Sequence, residues 1–310
     1  MNTMNVIWND LDPATWDQHH AQQAGALQQD WAYGSTMKLL GVPVLRACVL
    51  ADGVQLAQAQ FIVRRWGNWA AIALCSRGPV WTQNLSPEQK QAVYRLLKKT
   101  LPLKGLRWIL VTPEEAQGQA VGLPFWRRVM TPYSTVVLDL SQDLATLRAG
   151  FEAKWRNRLV AGENSALKVQ RTGLKFGQYR WLLDHEQAQR ENRGLAGLPM
   201  PFFEPYAQSR KSPAKNVFGV RADLQQERVA GMLFLIHGES ATYQVGWSND
   251  EGRQHNAHNV LLWDALQALK ERGVRKLDLG GVNTQRSAGI ARFKIGTGGE
   301  VVSLSGTYLL

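Results

Sequence analysis

The order strand, strand, strand, helix, strand is written twice along these 310 residues, and no other feature narrows the fold as far. In the first copy Val44 to Leu50 reads as a strand, Ala51-Asp52-Gly53 as a tight turn, Val54 to Val63 as a second strand and Trp69 to Leu74 as a third. Ser86-Pro87-Glu88-Gln89 then forms a capping box with proline at the first helical position, and Val93, Leu96, Leu97 and Leu101 continue it as the apolar face of a helix. Gly105 is expected to end that helix, and Leu106 to Val111 has the apolar run of a buried strand. In the second copy Asn216 to Arg221 and Val229 to Ile236 are strands, and His237-Gly238-Glu239-Ser240 turns the chain into a third from Ala241 to Trp247. Asn256 opens a helix with Leu262, Leu266 and Leu269 on one face, Gly273 supplies its left-handed stop, and Val274 to Leu279 follows as a strand.

A hairpin-rich sheet with one apolar face must be covered by helices. Each copy therefore predicts an α/β (α+β) unit with a mixed, twisted sheet, whose helical crossover makes the last strand pair parallel. This order resembles the core of the N-acetyltransferase (GNAT) fold. The chain also exceeds the usual reach of one hydrophobic core. Two tandem GNAT-like domains are expected, residues 1–150 and 151–310, divided after the strand Ser134 to Leu140.

Lysine and arginine exceed aspartate and glutamate by 11. Such a field favours a polyanionic partner, although it also serves solubility, and no single run is dense enough to act as a nucleic-acid arm. Cys48 and Cys75 lie among apolar residues without metal-ligand spacing, which makes them small core hydrophobes suited to a reducing compartment. The histidines show no metal spacing either, and His255 with His258 reads as a helix start, so no metal is expected. Asp10, Asp12 and Asp17 interrupt the N-terminus where a signal would be apolar, and no segment approaches 18 apolar residues. A cytoplasmic protein with at most peripheral membrane contact is expected.

Four stretches, taken in order, resemble the FemAB family. They are Gln29-Asp30-Trp31 with Lys38 and Gly41, then Arg77-Gly78-Pro79-Val80, then Lys154-Trp155-Arg156-Asn157-Arg158-Leu159. The last runs from Asn259 into Asp278-Leu279-Gly280-Gly281, Gly289-Ile290, Phe293-Lys294 and Gly298-Gly299, with a final strand to Tyr308. The resemblance implies an aminoacyltransferase that moves an amino acid from aminoacyl-tRNA to an amine of a nucleotide- or lipid-linked peptide, or of a smaller acceptor. Gly177 to Lys215 is too short and too rich in Pro and Gly for the coiled-coil arm of larger members, so the arm-less FemX type is the nearer pattern. No cofactor is implied beyond the aminoacyl-tRNA co-substrate. The alternative is an acyl-CoA-dependent N-acyltransferase of polysaccharide or secondary-metabolite assembly. Against coenzyme A, Gly252 to His258 lacks the Gly-x-Gly that cradles a pyrophosphate, though Arg253 and the helix amides can still meet some phosphate.

Aminolysis of an ester needs a neutral amine, a pole for the oxyanion and alignment of two large substrates. Lys294 is the first candidate for that pole, because Gly296, Gly298 and Gly299 beside it suggest close backbone approach to something; the plainer reading is a solvated surface lysine. Asp278 faces away from Leu277 and Leu279 and can orient a lysine or accept the amine's proton, or else cap a helix or pair with Arg275 or Lys276. Lys38, matched through the resemblance, is the candidate for an acceptor's diphosphate and is expected to share a basic trough with Lys294. Arg77 is carried over the same way, and Arg156 and Arg158 are alternatives for a phosphate or the tRNA end. Arg193 lies in a loop, Arg190 to Tyr206, whose three prolines and three aromatics suit either a cover over a cleft or a packed connector. Trp31, Tyr243 and Trp247 can stack on a base or sugar, or belong to the core.

Overall fold

The computed structural model describes residues 4–119, 127–173, 175–192, 194, 197–210, 216–283 and 287–310. The chain first forms β1 (Met4–Trp8), α1 (Pro13–Gln22), α2 (Trp31–Leu39), β2 (Val44–Ala51), β3 (Val54–Trp66), β4 (Ala70–Ser76), β5 (Val80–Trp81), α3 (Pro87–Thr100), β6 (Leu106–Thr112) and β7 (Arg127–Met130). There follow β8 (Ser134–Asp139), α4 (Leu144–Gly150), α5 (Ala153–Glu163), β9 (Lys168–Thr172), α6 (Arg180–Glu191), α7 (Phe203–Gln208), β10 (Val217–Leu224), β11 (Glu227–His237) and β12 (Ser240–Ser248). The chain closes with α8 (Asp250–Gln254), α9 (Ala257–Glu271), β13 (Lys276–Val282), α10 (Ala288–Ile295), β14 (Glu300–Ser303) and β15 (Thr307–Leu309).

Two compact units result. Unit 1 comprises Met1–Ser134 and Val302–Leu310, and unit 2 comprises Thr135–Val301. Each contains one mixed sheet flanked by helices, the tandem GNAT-like arrangement expected. The sheet of unit 1 runs β1-β2-β3-β4-β6-β15-β7, with β5 paired to β3, and that of unit 2 runs β14-β8-β13-β12-β11-β10-β9. In both, the strand after the crossover helix lies parallel to a strand that precedes it, β6 on β4 and β13 on β12.

The boundary falls at residue 134, not near 150. Val136, Leu138, Leu140, Leu147 and Phe151 all pack into the second hydrophobic core, so the segment placed at the end of the first domain belongs to unit 2. The C-terminal residues rejoin unit 1, where β15 pairs with β6 and β7. Helix α3 begins as read, with Ser86 and Gln89 closing both halves of the capping box, a feature worth about 1 kcal/mol. Its end differs. The helix stops at Thr100 because Leu101 precedes Pro102 and is forced out of the helical region, at ψ 118. Gly105 instead lies just before β6, where an added Cβ would meet the Trp69 carbonyl oxygen at 2.4 Å.

Cys48 and Cys75 are buried and unbridged. Among the described residues no helix is long and apolar enough to cross a membrane, and no cluster of His, Cys, Asp and Glu is arranged to hold a metal.

Candidate active site

The parallel strand pair distinguishes the units. In unit 1, β4 and β6 stay paired from Ala70↔Leu106 through to Ser76↔Thr112. In unit 2, β12 and β13 pair only at Ser240↔Lys276, Ala241↔Leu277 and Thr242↔Asp278. Beyond those residues they part. A β-bulge leaves Gln244 unpaired between Tyr243↔Phe234 and Val245↔Leu233, and Gly280 on β13 takes φ +76, which L side chains rarely adopt. The bulge shifts side-chain alternation, so Tyr243 and Gly246 share a face. There the phenol crosses Gly246 so closely that a Cβ would lie 1.7 Å from its oxygen.

A cleft with two arms opens where the strands part. One arm, about 490 Å³, is bordered by Arg158, Trp247, Arg253, Asn259 and Phe293; the other, about 390 Å³, by Glu186, Arg190, Asn283, Ser287 and Lys294. Gln189, Tyr243, Gly246 and Ile290 border both, which places Tyr243 and Gly246 at the junction.

Lys294 reaches the second arm from α10. Its Nζ donates to the Gly281 carbonyl at 2.9 Å and stands 5.9 Å from the centre of the Tyr243 ring. Only 8% of the residue is exposed, and burial pushes its ammonium down to about 8 against the opposing pull of Asp278. Asp278 is itself buried on β13, its Oδ1 accepting from the Gly280 amide at 2.7 Å and from the Thr135 hydroxyl. Helix α10 is anchored from α5. There Trp155 donates its indole N–H to the Phe293 carbonyl at 3.1 Å, and the Glu152 amide donates to the Gly296 carbonyl at 2.9 Å.

The first arm ends at the N-terminus of α9. Asn256 occupies the cap position at φ +54, but its side chain does not cap the helix. The first-turn amides and the helix dipole favour an anion there. Asn259, only 5% exposed, holds an Nδ2 with no hydrogen-bond partner among the described residues. An unsatisfied buried donor costs about 1–3 kcal/mol, which an acceptor atom on a ligand would offset. His258 donates Nε2 to the Trp247 carbonyl at 3.0 Å, and burial lowers its basicity.

Residues 142–294 match the family described as Acetyltransferase (GNAT) domain. The matched stretch lies within unit 2, which is therefore similar to GNAT acetyltransferase domains. Among solved structures, FemX aligns over 98% of this chain and 96% of its own at a TM-score of 0.79 with 14% identity. The tandem GNAT protein from the clavulanic acid biosynthesis pathway aligns over 99% and 98%, at TM-score 0.55 and 13% identity. L-PGS from Bacillus licheniformis aligns over 96% and 90%, at TM-score 0.52 and 14% identity. At such identities these structures share the fold. No curated protein matches the sequence.

Unit 2 brings together Lys294, Asp278, Tyr243, Trp247 and Arg158, of which all but Asp278 border the cleft. Trp247 already has one ring face stacked on His185, with centroids 4.2 Å apart. Arg156 is committed elsewhere, donating to the carbonyls of Ala149 and Phe151 at 2.7 Å each. The glycines after Lys294 approach the chain's own backbone and side chains: a Cβ on Gly298 would meet the Gly150 carbonyl at 2.0 Å, and one on Gly296 the Trp155 ring at 2.9 Å. Arg253 donates to the Ser248 carbonyl at 2.6 Å and to Asp250. Arg193 lies outside the described residues. Nearby, Phe202, Phe203 and Tyr206 are buried and the Tyr206 hydroxyl donates to the Ile236 carbonyl, which is how a packed connector behaves.

Lys38, Trp31 and Arg77 belong to unit 1 and border neither arm. Lys38 is exposed in the last turn of α2, its ammonium held below the usual range by desolvation and by Arg46. Trp31 carries the Arg46 guanidinium 3.6 Å above its ring, so that face is taken. Arg77 is buried at φ +53, a conformation costing about 1–3 kcal/mol in a non-glycine residue. It donates twice to Glu114, at 2.6 and 2.5 Å. Glu114→Gln is therefore expected to destabilise unit 1 by about 3 kcal/mol, read as a lowered urea midpoint, because the guanidinium stays buried without its counter-charge.

Three contributors escaped the sequence reading. Thr135 fixes Asp278 from another strand, and no local pattern announces that. Glu186 and Arg190 pair at 3.1 Å with helical i, i+4 spacing, a signal that was available.

Proposed function

We propose that the cleft of unit 2 transfers an aminoacyl group from the ester end of a charged tRNA to an amine, forming an amide. The amine nitrogen attacks the ester carbonyl, the resulting oxyanion collapses, the carbon–oxygen bond to the tRNA ribose breaks, and the amine's proton leaves with the ribose oxygen. Lys294 is the observation that carries this reading. A lysine buried to that degree beside Gly281 and Tyr243, and still protonated at neutral pH, is placed to meet an oxyanion formed at the junction of the arms. The first arm, with the α9 amides, Asn259 and Arg158, suits the anionic donor, and the second, bordered by both Glu186 and Lys294, suits the incoming amine. The net charge of +11 supports two polyanionic substrates. The test is transfer of radiolabelled amino acid from charged tRNA to a nucleotide-linked peptide. Ribonuclease should abolish it, and activity that survives ribonuclease but requires an acyl-CoA would overturn the reading.

That second outcome has a specific observation in its favour. The unpaired Asn259 Nδ2 at an uncapped helix N-terminus would also fit a pyrophosphate of coenzyme A, with Arg158 near it. Coenzyme A would supply a thioester in place of the ribose ester, and Lys294 and Asp278 would keep the same work.

A further inference from the structure

Unit 1 carries a surface that the transfer reaction leaves unused. Trp66 pairs with Ala70 and Ala70 with Leu106, so the three residues stand side by side across β3, β4 and β6 on one face of the sheet. Ala70 is buried between them, while Trp66 is 46% exposed, Leu106 59% and Trp69 at the hairpin turn 65%. Large apolar groups gathered in water at one edge mark an interaction site. Their placement is set by the backbone, since the Leu106 amide donates to the Trp69 carbonyl at 2.8 Å and Gly105 leaves no room there for a side chain.

Charge of one sign frames this apolar tip. Arg64 shares the face of Trp66 two residues back along β3, about 7 Å behind it. Arg65 and Arg107 flank Ala71 on the opposite face. The last turns of α3 add Lys98 and Lys99, which with Arg95 and Arg107 border a hollow of about 400 Å³ floored by Leu101 and Ile109. Arg64, Arg65, Arg95, Lys98, Lys99 and Lys104 are exposed, and among the described residues none of them forms an ion pair. Between Gly53 and Pro113 the only carboxylate is Glu88, against nine lysines and arginines.

We propose that this rim docks the protein onto an anionic bilayer, with Trp66, Trp69 and Leu106 entering the boundary between headgroups and acyl chains and the cations behind them meeting lipid phosphates. Indole rings prefer that boundary, and basic residues near it are drawn to anionic lipids. The layering favours a bilayer over a nucleic acid: the tip is apolar with the cations set back, and Leu106 has no ring to stack on a base. The proposal is independent of which donor unit 2 uses.

The test is co-sedimentation of the full chain with vesicles of phosphatidylglycerol and phosphatidylcholine, compared with phosphatidylcholine alone. Binding to the anionic vesicles is expected, weakening as salt rises. The double variant Trp66→Ala/Trp69→Ala and, separately, Arg64→Glu/Lys99→Glu are each expected to lower partitioning about tenfold or more at unchanged melting temperature. If one pair melts early, the other decides. Equal binding to neutral vesicles, no binding to anionic ones, or variants that partition like the parent would each overturn the proposal. So would loss of single-stranded RNA binding in the tryptophan variant with vesicle binding intact, which would make the rim a nucleic-acid surface.

Discussion

Replacing Lys294 with methionine is expected to give a folded, more stable protein that transfers its acyl group about 10²–10³-fold more slowly. Both halves follow from burial. Desolvation holds the ammonium at about 8 against an ordinary 10.5, although Asp278 pulls the other way. Between those two values the unfolded chain binds the proton more readily than the folded one, so stability rises with pH across that window and the full penalty is felt below about 8. The gap corresponds to about 3 kcal/mol. Methionine fills a similar volume without charge, so urea unfolding at neutral pH should show a gain of up to that size, reduced by loss of the bond to the Gly281 carbonyl. In the parent, the rate should fall as pH rises through about 8, because the neutral amine no longer opposes an oxyanion as a cation. A variant that is less stable and equally active would mean that Lys294 merely packs α10. One that is more stable and equally active would remove it from the chemistry altogether.

The fold was legible wherever signals were local. Turn residues such as Gly53, the proline-led capping box at Ser86 and the left-handed Gly273 mark their positions without help from the rest of the chain. Strand pairing was legible only in outline. Whether β12 and β13 stay zipped like β4 and β6, or part to open a cleft, depends on a bulge at Gln244 whose partner strand lies ten residues away, and the sequence carries no mark of it. The boundary was misplaced for the same reason, since Val136 and Leu147 look equally apolar whichever core receives them.

The site was half legible. Lysine and aspartate at Lys294 and Asp278 drew attention by type and motif, and the structure brings both to the parted strands. Arg77, Arg156 and Trp31 drew attention in the same way, but internal partners engage them: a carboxylate, two backbone carbonyls and a guanidinium. A charged residue in a sequence does not reveal whether its partner is inside the protein. Asn259 shows the converse, a residue of ordinary type made conspicuous only by a buried donor left without an acceptor.

Asp278→Asn is expected to separate two roles for that carboxylate by the shape of the pH profile. The amide oxygen of asparagine can still accept from the Gly280 amide and the Thr135 hydroxyl, so the local geometry is retained while the charge is lost. Because Asp278 holds the Lys294 ammonium up, its neutralisation lowers that group below about 8. If Asp278 is a positioning residue, the alkaline fall in rate moves to lower pH, giving a loss of roughly several-fold near pH 8 and little loss near pH 6. A general base behaves differently. Were Asp278 to take the amine's proton, the variant would be slow at every pH and its acidic limb would disappear. The buried setting of Asp278, with Oδ1 already accepting two hydrogen bonds, favours the first outcome, and a uniform loss across the profile would assign the proton transfer to it instead.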